Sequence, residues 1–344
     1  MGVRQGLAGY PLEALQDMLN FLPSYRAKQI FTWINRGSRS FEAMTDLPRP
    51  LRAELGQRFS LLTAAVRARL TDPDGTEKLQ ICLQDGALIE SVLLRGKEGR
   101  RTACLSTQAG CPMGCVFCKT GALGLRRNLD ASEIVEQWLL LRFPPESGPR
   151  DIANLVIMGM GEPLLNLGEL RKALGVFMDP QGAGISKRRI TLSTSGIVRG
   201  IRDLGENGPD IRLALSLTTA DEALREKLMP VSRANPLPAL KEALREYQRR
   251  TNQRVTLEMT LLKGVNMRER DIAALEKFLR GLDAAVNLIP WNAVEGLCFE
   301  GRPLQEPEPQ ETARFMTALE QRGIRATQRF RKGRSIHGAC GQLG

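Results

Sequence analysis

The sequence has few aromatic residues and no long apolar segment. Aromatic residues make up 5% of its 344 residues, too few for a protein that binds single-stranded nucleic acid mainly by stacking. No run of about eighteen or more apolar residues occurs, and no basic and apolar leader is present, so we expect neither a membrane span nor secretion. The hydrophobic fraction of 42% and the charged fraction of 25% are those of an ordinary soluble globular protein.

Seven cysteines are present, and three of them lie close together. Cys111, Cys115 and Cys118 form a CxxxCxxC run, with the aromatic Phe117 directly before the last of them. Thiolates in so short a loop can bind one metal centre, and soft sulfur ligands select zinc, copper(I) or iron–sulfur clusters. Clustering of this type in a long chain indicates a reducing compartment, not a disulfide framework. We therefore predict a cytoplasmic protein with a metal centre at this loop.

The number of cysteines in the run bears on whether the centre is a structural zinc site or a 4Fe–4S cluster. A closed structural zinc site needs four ligands, so a zinc knuckle would have to recruit Cys104 or His337, the only histidine. Zinc sites are usually built from two separated ligand pairs. Three thiolates on a 4Fe–4S cluster would instead leave one iron open to a further ligand. The run thus indicates a reactive site, and the alternative is a non-catalytic RNA-binding protein that carries a metal or cluster.

The charge balance is strongly basic. The formal net charge is +11, and the basic residues occur in groups within 95–101, 126–127, 187–189 and 322–334. One such group is typical of a solvated face. Several together favour RNA or DNA as the partner, because phosphate contacts supply affinity while carrying little sequence information.

The first hundred residues change from a helical to a strand pattern. Apolar residues recur at helical spacing in 12–19 and 27–34, which predicts a helical accessory domain over residues 1–58 that contributes to RNA binding. Two apolar runs then flank the turn sequence Asp85-Gly86, a pattern typical of a β-hairpin. We assign residues 59–103 to this hairpin extension.

The rest of the chain alternates between strand and helix patterns. The predicted strands are 102–106, 153–158, 189–194, 212–218, 255–261 and 285–289. Because parallel neighbours need long crossover connections, this alternation predicts an α/β fold with a parallel sheet. An incomplete (β/α)6 barrel over residues 104–330 fits, with its site at the carboxyl ends of the strands.

Polar residues follow several of these strands. The second strand ends in Met158-Gly-Met-Gly-Glu-Pro163, where the glycines allow a tight turn and Glu162 could pair with an ammonium group. Ser193, Ser216, Thr218 and Asn292 lie at later strand ends. They could bind hydroxyl, carboxylate or adenine groups, although capping and turn formation are the commoner roles of such residues.

Together these motifs resemble one enzyme family. The CxxxCxxC run resembles the signature of radical S-adenosylmethionine (radical SAM) enzymes, and Gly161-Glu162 resembles the turn that contacts the SAM amino group. Cys104 and four further segments are similar to the RlmN/Cfr family of radical SAM RNA methyltransferases; the segments are 159–166, 186–196, 287–292 and 339–343. The resemblance extends over nearly the whole chain.

The resemblance implies a 4Fe–4S cluster on the three clustered cysteines and a SAM site. The implied SAM-binding residues are Gly161, Glu162, Ser193, Ser216, Leu217, Thr218 and Asn292. Two molecules of SAM would be used in each turnover. One methylates the thiolate of Cys340, and the other yields a 5′-deoxyadenosyl radical that removes a hydrogen atom from that S-methyl group.

The remaining steps implied by the resemblance involve two further residues. The carbon radical on Cys340 would add to C2 of an adenine, joining RNA to protein. The ring proton would then be lost, with Glu90 as the expected acceptor. Attack of Cys104 on the sulfur of Cys340 would release the product and leave a disulfide. Adenine C2 is too weak a nucleophile for direct transfer, so covalent radical chemistry would replace it.

The resemblance also implies partners. These are 23S rRNA and tRNA as substrates, an electron donor of the flavodoxin or ferredoxin type, and a disulfide reductant; we expect a monomer. The Cfr-type enzymes, which methylate adenine C8, share most of the motifs and are the alternative.

Thr218 stands where the family usually has histidine, and 335–338 replaces an Asp-Ile segment before Cys340. Residues 331–344 are predicted to be a mobile tail that brings Cys340 to the barrel mouth.

Overall fold

The computed structural model describes residues 4–344, apart from the side chain of Lys97; residues 1–3 of the predicted helical domain lie outside the described residues. The first segment is helical, as predicted, with α1 (Leu12–Met18), α2 (Ser24–Asn35) and α3 (Arg49–Arg58) between the short parallel strands β1 (Gln5–Gly6) and β2 (Phe59–Ser60). Ile30, Phe31 and Ile34 are buried on one face of α2, because their spacing brings them to the same side of a helix.

An antiparallel unit of three strands follows the helices. It consists of β3 (Ala65–Thr71), β4 (Glu77–Cys82) and β5 (Leu88–Arg95). The predicted hairpin at Asp85-Gly86 is confirmed. Gly86 adopts a φ of +77°, a conformation that favours glycine, and the Asp85 carboxylate accepts a hydrogen bond from the Ala87 N–H at 2.9 Å. Strand β3 was not predicted, because it is an edge strand with largely exposed residues.

The remaining strands mostly run parallel. They are β6 (Arg101–Cys104), the ribbon β7 (Gln108–Gly110) and β8 (Leu125–Asn128), then β9 (Asn154–Ile157), β10 (Ile190–Thr194), β11 (Arg212–Ser216), β12 (Val255–Leu261), β13 (Ala284–Pro290), the ribbon β14 (Cys298–Phe299) and β15 (Arg302–Pro303), and β16 (Ala326–Gln328). All six predicted strands are present, and β16 adds a seventh parallel strand.

A single open sheet joins the hairpin to the barrel. Its ten strands have the order β16-β13-β12-β11-β10-β9-β6-β5-β4-β3, with parallel pairing from β6 to β16 and antiparallel pairing from β3 to β6. The predicted partial barrel is therefore confirmed, with the hairpin strands extending the same sheet. The carboxyl ends of the parallel strands meet on one side, where the site is expected.

Helices connect the parallel strands. They are α4 (Lys119–Ala122), α5 (Ala131–Arg142), α6 (Leu167–Met178), α7 (Val198–Asn207), α8 (Glu222–Leu228), α9 (Leu237–Thr251), α10 (Glu269–Leu279) and α11 (Pro309–Gln321). Helix α5 begins with a capping box, in which the Asp130 side chain accepts from the Glu133 N–H and the Glu133 side chain accepts from the Asp130 N–H. The crossover helices bury their apolar faces against the sheet and form a continuous hydrophobic core.

Candidate active site

A cavity opens at the carboxyl ends of the parallel strands. Its volume is about 160 Å³. Its lining brings together most of the predicted site residues: Cys111, Cys115, Cys118, Gly161, Glu162, Ser193, Ser216, Asn292 and Cys340. These residues come from the loop after β7, the ends of β9, β10, β11 and β13, and the C-terminal segment.

The three clustered cysteines lie in the loop between β7 and α4. The Cys118 N–H donates to the Cys115 carbonyl at 3.1 Å, and the Cys111 N–H donates to the Gly124 carbonyl at 2.9 Å, so backbone contacts fix the loop. Burial raises the pKa of the Cys111 thiol to about 12 and also raises the pKa of the Cys115 thiol, with the neighbouring cysteines adding to the Cys115 shift. Thiols of this kind become thiolates when a metal binds them.

Within residues 4–344, no three His, Cys, Asp or Glu side chains converge on a position suited to a single metal ion. A cubane cluster binds each of its thiolates through a different iron, so its ligands need not converge on one point. His337, one candidate fourth ligand of a zinc knuckle, does not line the cavity, and neither does Cys104.

Glu162 presents a buried carboxylate at the end of β9. One carboxylate oxygen accepts hydrogen bonds from the Ser195 N–H and hydroxyl, both at 2.7 Å, and the other accepts from the Leu164 N–H at 3.1 Å. Burial raises the pKa of this carboxyl group. No lysine or arginine in the described part of the chain forms an ion pair with it, and an uncompensated buried carboxylate is costly. The site therefore suits a ligand that brings its own positive charge.

The glycine beside this carboxylate allows a close approach. Gly161 has a φ of +104°, and a Cβ atom there would lie 2.6 Å from the Gln108 Cβ. The Gln108 side-chain oxygen in turn accepts from the Glu162 N–H at 2.8 Å. Any larger residue at position 161 would push apart the turn that positions the carboxylate.

The other predicted SAM-binding residues divide into two groups. Ser193 and Ser216 line the cavity with their hydroxyls 3.3 Å apart, and the buried Asn292 Oδ1 has no hydrogen-bond partner among the described residues. Leu217 and Thr218 do not line the cavity, and both are fully buried. Thr218 has a φ of +61°, which is a strained conformation for a β-branched residue.

A second cleft adjoins the cavity. Its volume is about 350 Å³, and its charged lining consists of the acidic Glu258 and the basic side chains Arg212, Arg329, Arg331 and Lys332, with Cys104 beside them. Its mainly positive lining contrasts with that of the cofactor cavity, where the described residues include no lysine or arginine. The cleft is therefore suited to an anionic partner.

Cys340 lies at the boundary between the two spaces, because it lines both. Its side chain is accessible, and it forms no disulfide. Desolvation by the surrounding protein raises the pKa of the Cys340 thiol to about 11, and the nearby Glu258 carboxylate adds to this shift. Burial also raises the pKa of the Cys104 thiol, and the nearby Cys340 adds to that shift. Cys340 is thus close enough to Cys104 to affect the ionisation of the Cys104 thiol.

The C-terminal segment lies against the cysteine loop and the hairpin. The Lys119 N–H donates to the Gly341 carbonyl at 2.8 Å, the Thr120 hydroxyl donates to the Leu343 carbonyl at 2.6 Å, and the Asn292 side chain donates to the Cys340 carbonyl at 2.9 Å. Further along, Asp72 accepts from the Ser335 N–H at 2.8 Å and from its hydroxyl at 2.7 Å. The predicted mobility of this tail stays a prediction; here the tail makes specific contacts.

Glu90 lies outside both spaces. Its carboxylate pairs with Lys78 at 3.0 Å and accepts from the Gly344 N–H at 3.0 Å. Lys78 also donates to the His337 carbonyl at 3.3 Å. In this arrangement the Glu90–Lys78 pair holds both ends of the Cys340 segment, so a proton-accepting role for Glu90 stays a prediction.

Sequence reasoning missed Arg225, a fully buried residue of α8. Its guanidinium donates to the carbonyls of Ser195, Ser216 and Leu217 and to the Ser232 hydroxyl. Burial lowers its pKa to about 10. It thereby ties together the ends of β10 and β11, which carry the polar lining of the cavity. Its charged side chain offers no hydrophobic signal, so periodicity could not have indicated its burial.

Comparison with known proteins identifies this arrangement. Residues 105–275 match the model of the radical SAM superfamily, and residues 7–61 match the ribosomal RNA large subunit methyltransferase N-terminal domain. The chain is 48% identical to a probable dual-specificity RNA methyltransferase RlmN of Treponema denticola, over 99% of this chain and 96% of that protein. The chain belongs to the RlmN family of radical SAM RNA methyltransferases.

Other relatives agree with this assignment. The chain is 40% identical to the dual-specificity RNA methyltransferase RlmN of an Anaeromyxobacter species, over 99% of this chain and 90% of that protein. The crystal structure of a radical SAM methyltransferase from Sphaerobacter thermophilus superposes with a TM-score of 0.92 at 38% identity, over 98% of this chain and 99% of the other. No helix within residues 4–344 is long and apolar enough to cross a membrane.

Membership of the radical SAM superfamily implies a 4Fe–4S cluster and SAM. The residues of the cavity fit both groups. Three cysteines from one loop supply soft ligands, Glu162 offers an unpaired carboxylate for an ammonium group, and the free Asn292 Oδ1 can accept a hydrogen bond.

Proposed function

We propose that this enzyme methylates C2 of an adenine in 23S rRNA and in tRNA, using Cys340 as the methyl carrier and Cys104 to release the product. The observation that carries the proposal is the position of Cys340, whose thiol is accessible from the cofactor cavity and from the basic cleft. A single side chain that reaches both spaces can accept a one-carbon group on one side and deliver it on the other.

The residues around Cys340 would act in a defined order. Cys111, Cys115 and Cys118 would hold the cluster, while Glu162, Gly161, Ser193, Ser216 and Asn292 would hold SAM. When bound, these groups supply the methyl group and the radical that activates it. The Cys340 sulfur would carry the carbon to adenine C2. After the adduct loses the C2 proton and one electron, attack of the Cys104 thiolate on that sulfur would break its bond to carbon. The carbon would keep the electron pair and take up a proton to become the methyl group, and the two sulfurs would form a Cys104–Cys340 disulfide that an external reductant reopens.

The environment of the two thiols supports this division of work. Both thiols have raised pKa values, so each must lose its proton to a base before it acts as a nucleophile. The Cys340 segment is held by Asn292, which lines both spaces. Cys104 lines the cleft at the end of β6, where it would face the sulfur of a Cys340–RNA adduct.

Several features favour RNA in the basic cleft. The relatives named above are dual-specificity RNA methyltransferases, and the chain carries a net charge of +11.

We propose that residues 1–58 add to RNA binding, that residues 59–103 support the C-terminal segment 331–344, and that the barrel 104–330 performs the chemistry. A flavodoxin- or ferredoxin-type protein would supply electrons to the cluster. Two molecules of SAM would be used in each turnover.

Product analysis tests the proposal. The protein is reconstituted with its cluster under anaerobic conditions and incubated with SAM, a reductant and unmethylated 23S rRNA or tRNA. The RNA is then digested to nucleosides and analysed by mass spectrometry. We expect 2-methyladenosine from both RNAs. 8-Methyladenosine would instead assign the Cfr-type reaction, and the absence of any methyladenosine with intact cluster and cleaved SAM would contradict adenine as the target.

A further inference from the structure

The basic cleft contains an aromatic side chain that the proposed chemistry does not use. Phe330 is 80% exposed, more than any other large apolar residue in the described part of the chain. Single exposed apolar residues are common and need no explanation. Phe330 differs from them because it lines the same cleft as Cys104 and Cys340.

The backbone on both sides of Phe330 is held in place. The Arg329 N–H donates to the Leu288 carbonyl at 2.8 Å, and its guanidinium pairs with Glu258 at 3.4 Å. On the other side the Arg331 guanidinium bonds to the Trp291 carbonyl. The neighbours of Phe330 are thus anchored by their side chains, whereas the phenyl ring projects from the anchored segment without packing against it.

The surroundings of the ring define the kind of partner. Arg212 and Lys332 line the same cleft, and a positively charged groove with an aromatic ring is the arrangement that binds unpaired nucleotides. Chemistry at a ring carbon requires the target base to leave its stack. An RNA that delivers an adenine to Cys340 must therefore present unstacked bases to this cleft.

We propose that Phe330 stacks on the RNA base next to the target adenine. The target base must reach Cys340, at the boundary with the cofactor cavity, whereas Phe330 lines only the cleft. The ring is thus positioned to meet a flanking base and not the reacting one. This inference rests on the proposed function, because it takes RNA as the substrate and Cys340 as the point of reaction.

Three substitutions separate stacking from simple apolar contact. Phe330→Ala removes the ring, Phe330→Leu keeps an apolar side chain without a π face, and Phe330→Trp keeps a π face. Leu70→Ala is the control, since it removes another exposed apolar side chain, on the edge strand β3. Steady-state methylation of 23S rRNA gives KM and kcat for each variant, while iron content and thermal unfolding verify that each is folded and loaded.

We expect Phe330→Ala and Phe330→Leu to raise the KM for RNA by roughly 5- to 150-fold, the range that base–aromatic stacking contributes. Phe330→Trp should restore the wild-type KM, and Leu70→Ala should leave it unchanged. Because stacking is not ionic, the lost affinity should be the same at low and high salt. If Phe330→Leu had the same KM for RNA as the wild-type enzyme, the stacking proposal would be overturned. The proposed function would still stand in that case, because the wild-type enzyme would still methylate RNA. Failure of the proposed function would instead appear as no methyladenosine from the wild-type enzyme.

Discussion

The two spaces on either side of Cys340 differ in charge and in origin. The cofactor cavity is formed by the ends of parallel strands and the cysteine loop. Of its two buried carboxylates, Glu258 pairs with Arg329, whereas Glu162 has no cation partner among the described residues. The cleft is lined by basic side chains, several of which come from the C-terminal segment. The cavity thus suits a ligand with a positive ammonium group, whereas the cleft suits a polyanion. Because the cavity and the cleft are separate, the Cys340 thiol between them can contact the ligand of each.

Removing the shared thiol should have the largest effect. Cys340→Ala leaves both spaces intact but eliminates the one thiol among the described residues that lines both, so we expect RNA methylation to fall below detection. The cluster ligands are elsewhere, so iron content and reductant-dependent SAM cleavage should persist. Nucleoside mass spectrometry and an assay for 5′-deoxyadenosine measure the two outcomes. Methylation at the wild-type rate would show that Cys340 does not carry the methyl group from the cavity to the cleft.

Neutralising the cavity should have the next largest effect. In Glu162→Gln the acceptor for an ammonium group loses its charge, and charged hydrogen bonds contribute about 1.5–3 kcal/mol, so SAM affinity should fall roughly 10- to 100-fold. Equilibrium binding of SAM to the cluster-loaded protein measures the change. RNA affinity should be unaffected, because Glu162 does not line the cleft. An unchanged SAM affinity would contradict the assignment of this carboxylate.

Loosening the tail should reduce methylation several-fold while leaving SAM affinity unchanged. Asp72→Ala removes the acceptor for the Ser335 N–H and hydroxyl, five residues before Cys340. Hydrogen exchange of residues 333–344 should become faster. Asp151→Ala is a matched control, because Asp151 is exposed and forms no ion pair among the described residues. Equal exchange in both variants would mean that Asp72 does not hold the tail.

The smallest effect on methylation is expected for Glu136, whose titration affects stability. Burial raises the pKa of Glu136 from 4.5 to about 7, although the carboxylate accepts from the Thr63 and Ala64 N–H groups. The folded state then binds this proton more tightly than the unfolded state, so its stabilising contribution is present below pH 4.5 and is lost as pH rises through 7. The difference amounts to roughly 3 kcal/mol.

Glu136→Gln cannot titrate and should abolish this part of the pH dependence. Denaturant unfolding of the metal-free protein at several pH values between 5 and 7 measures it, and identical slopes of stability against pH in the two proteins would contradict the shift. Because Glu136 lies away from both spaces, methylation should change little.

Local patterns predicted one of the two spaces better than the other. The strand ends brought Glu162, Ser193 and Ser216 together, as predicted, because parallel strands align their carboxyl ends. The cleft depends on contacts between distant segments. Asp72 meets Ser335 across 263 residues, and the pairing of Glu90 with Lys78 and the tail follows from the docking of the tail. No local pattern specifies such contacts, and for the roles of Cys104 and Cys340 only the family resemblance gave a signal.

Trapping the covalent intermediate tests most directly whether Cys340 joins the two spaces. The Cys104→Ala protein, loaded with cluster, is incubated anaerobically with SAM, reductant and unmethylated 23S rRNA, then digested with nuclease and protease for mass spectrometry. Without the releasing thiol, adenosine should remain attached through one carbon to the peptide containing Cys340. Free methyladenosine at the wild-type rate with no such adduct, or an adduct on another residue, would contradict the account.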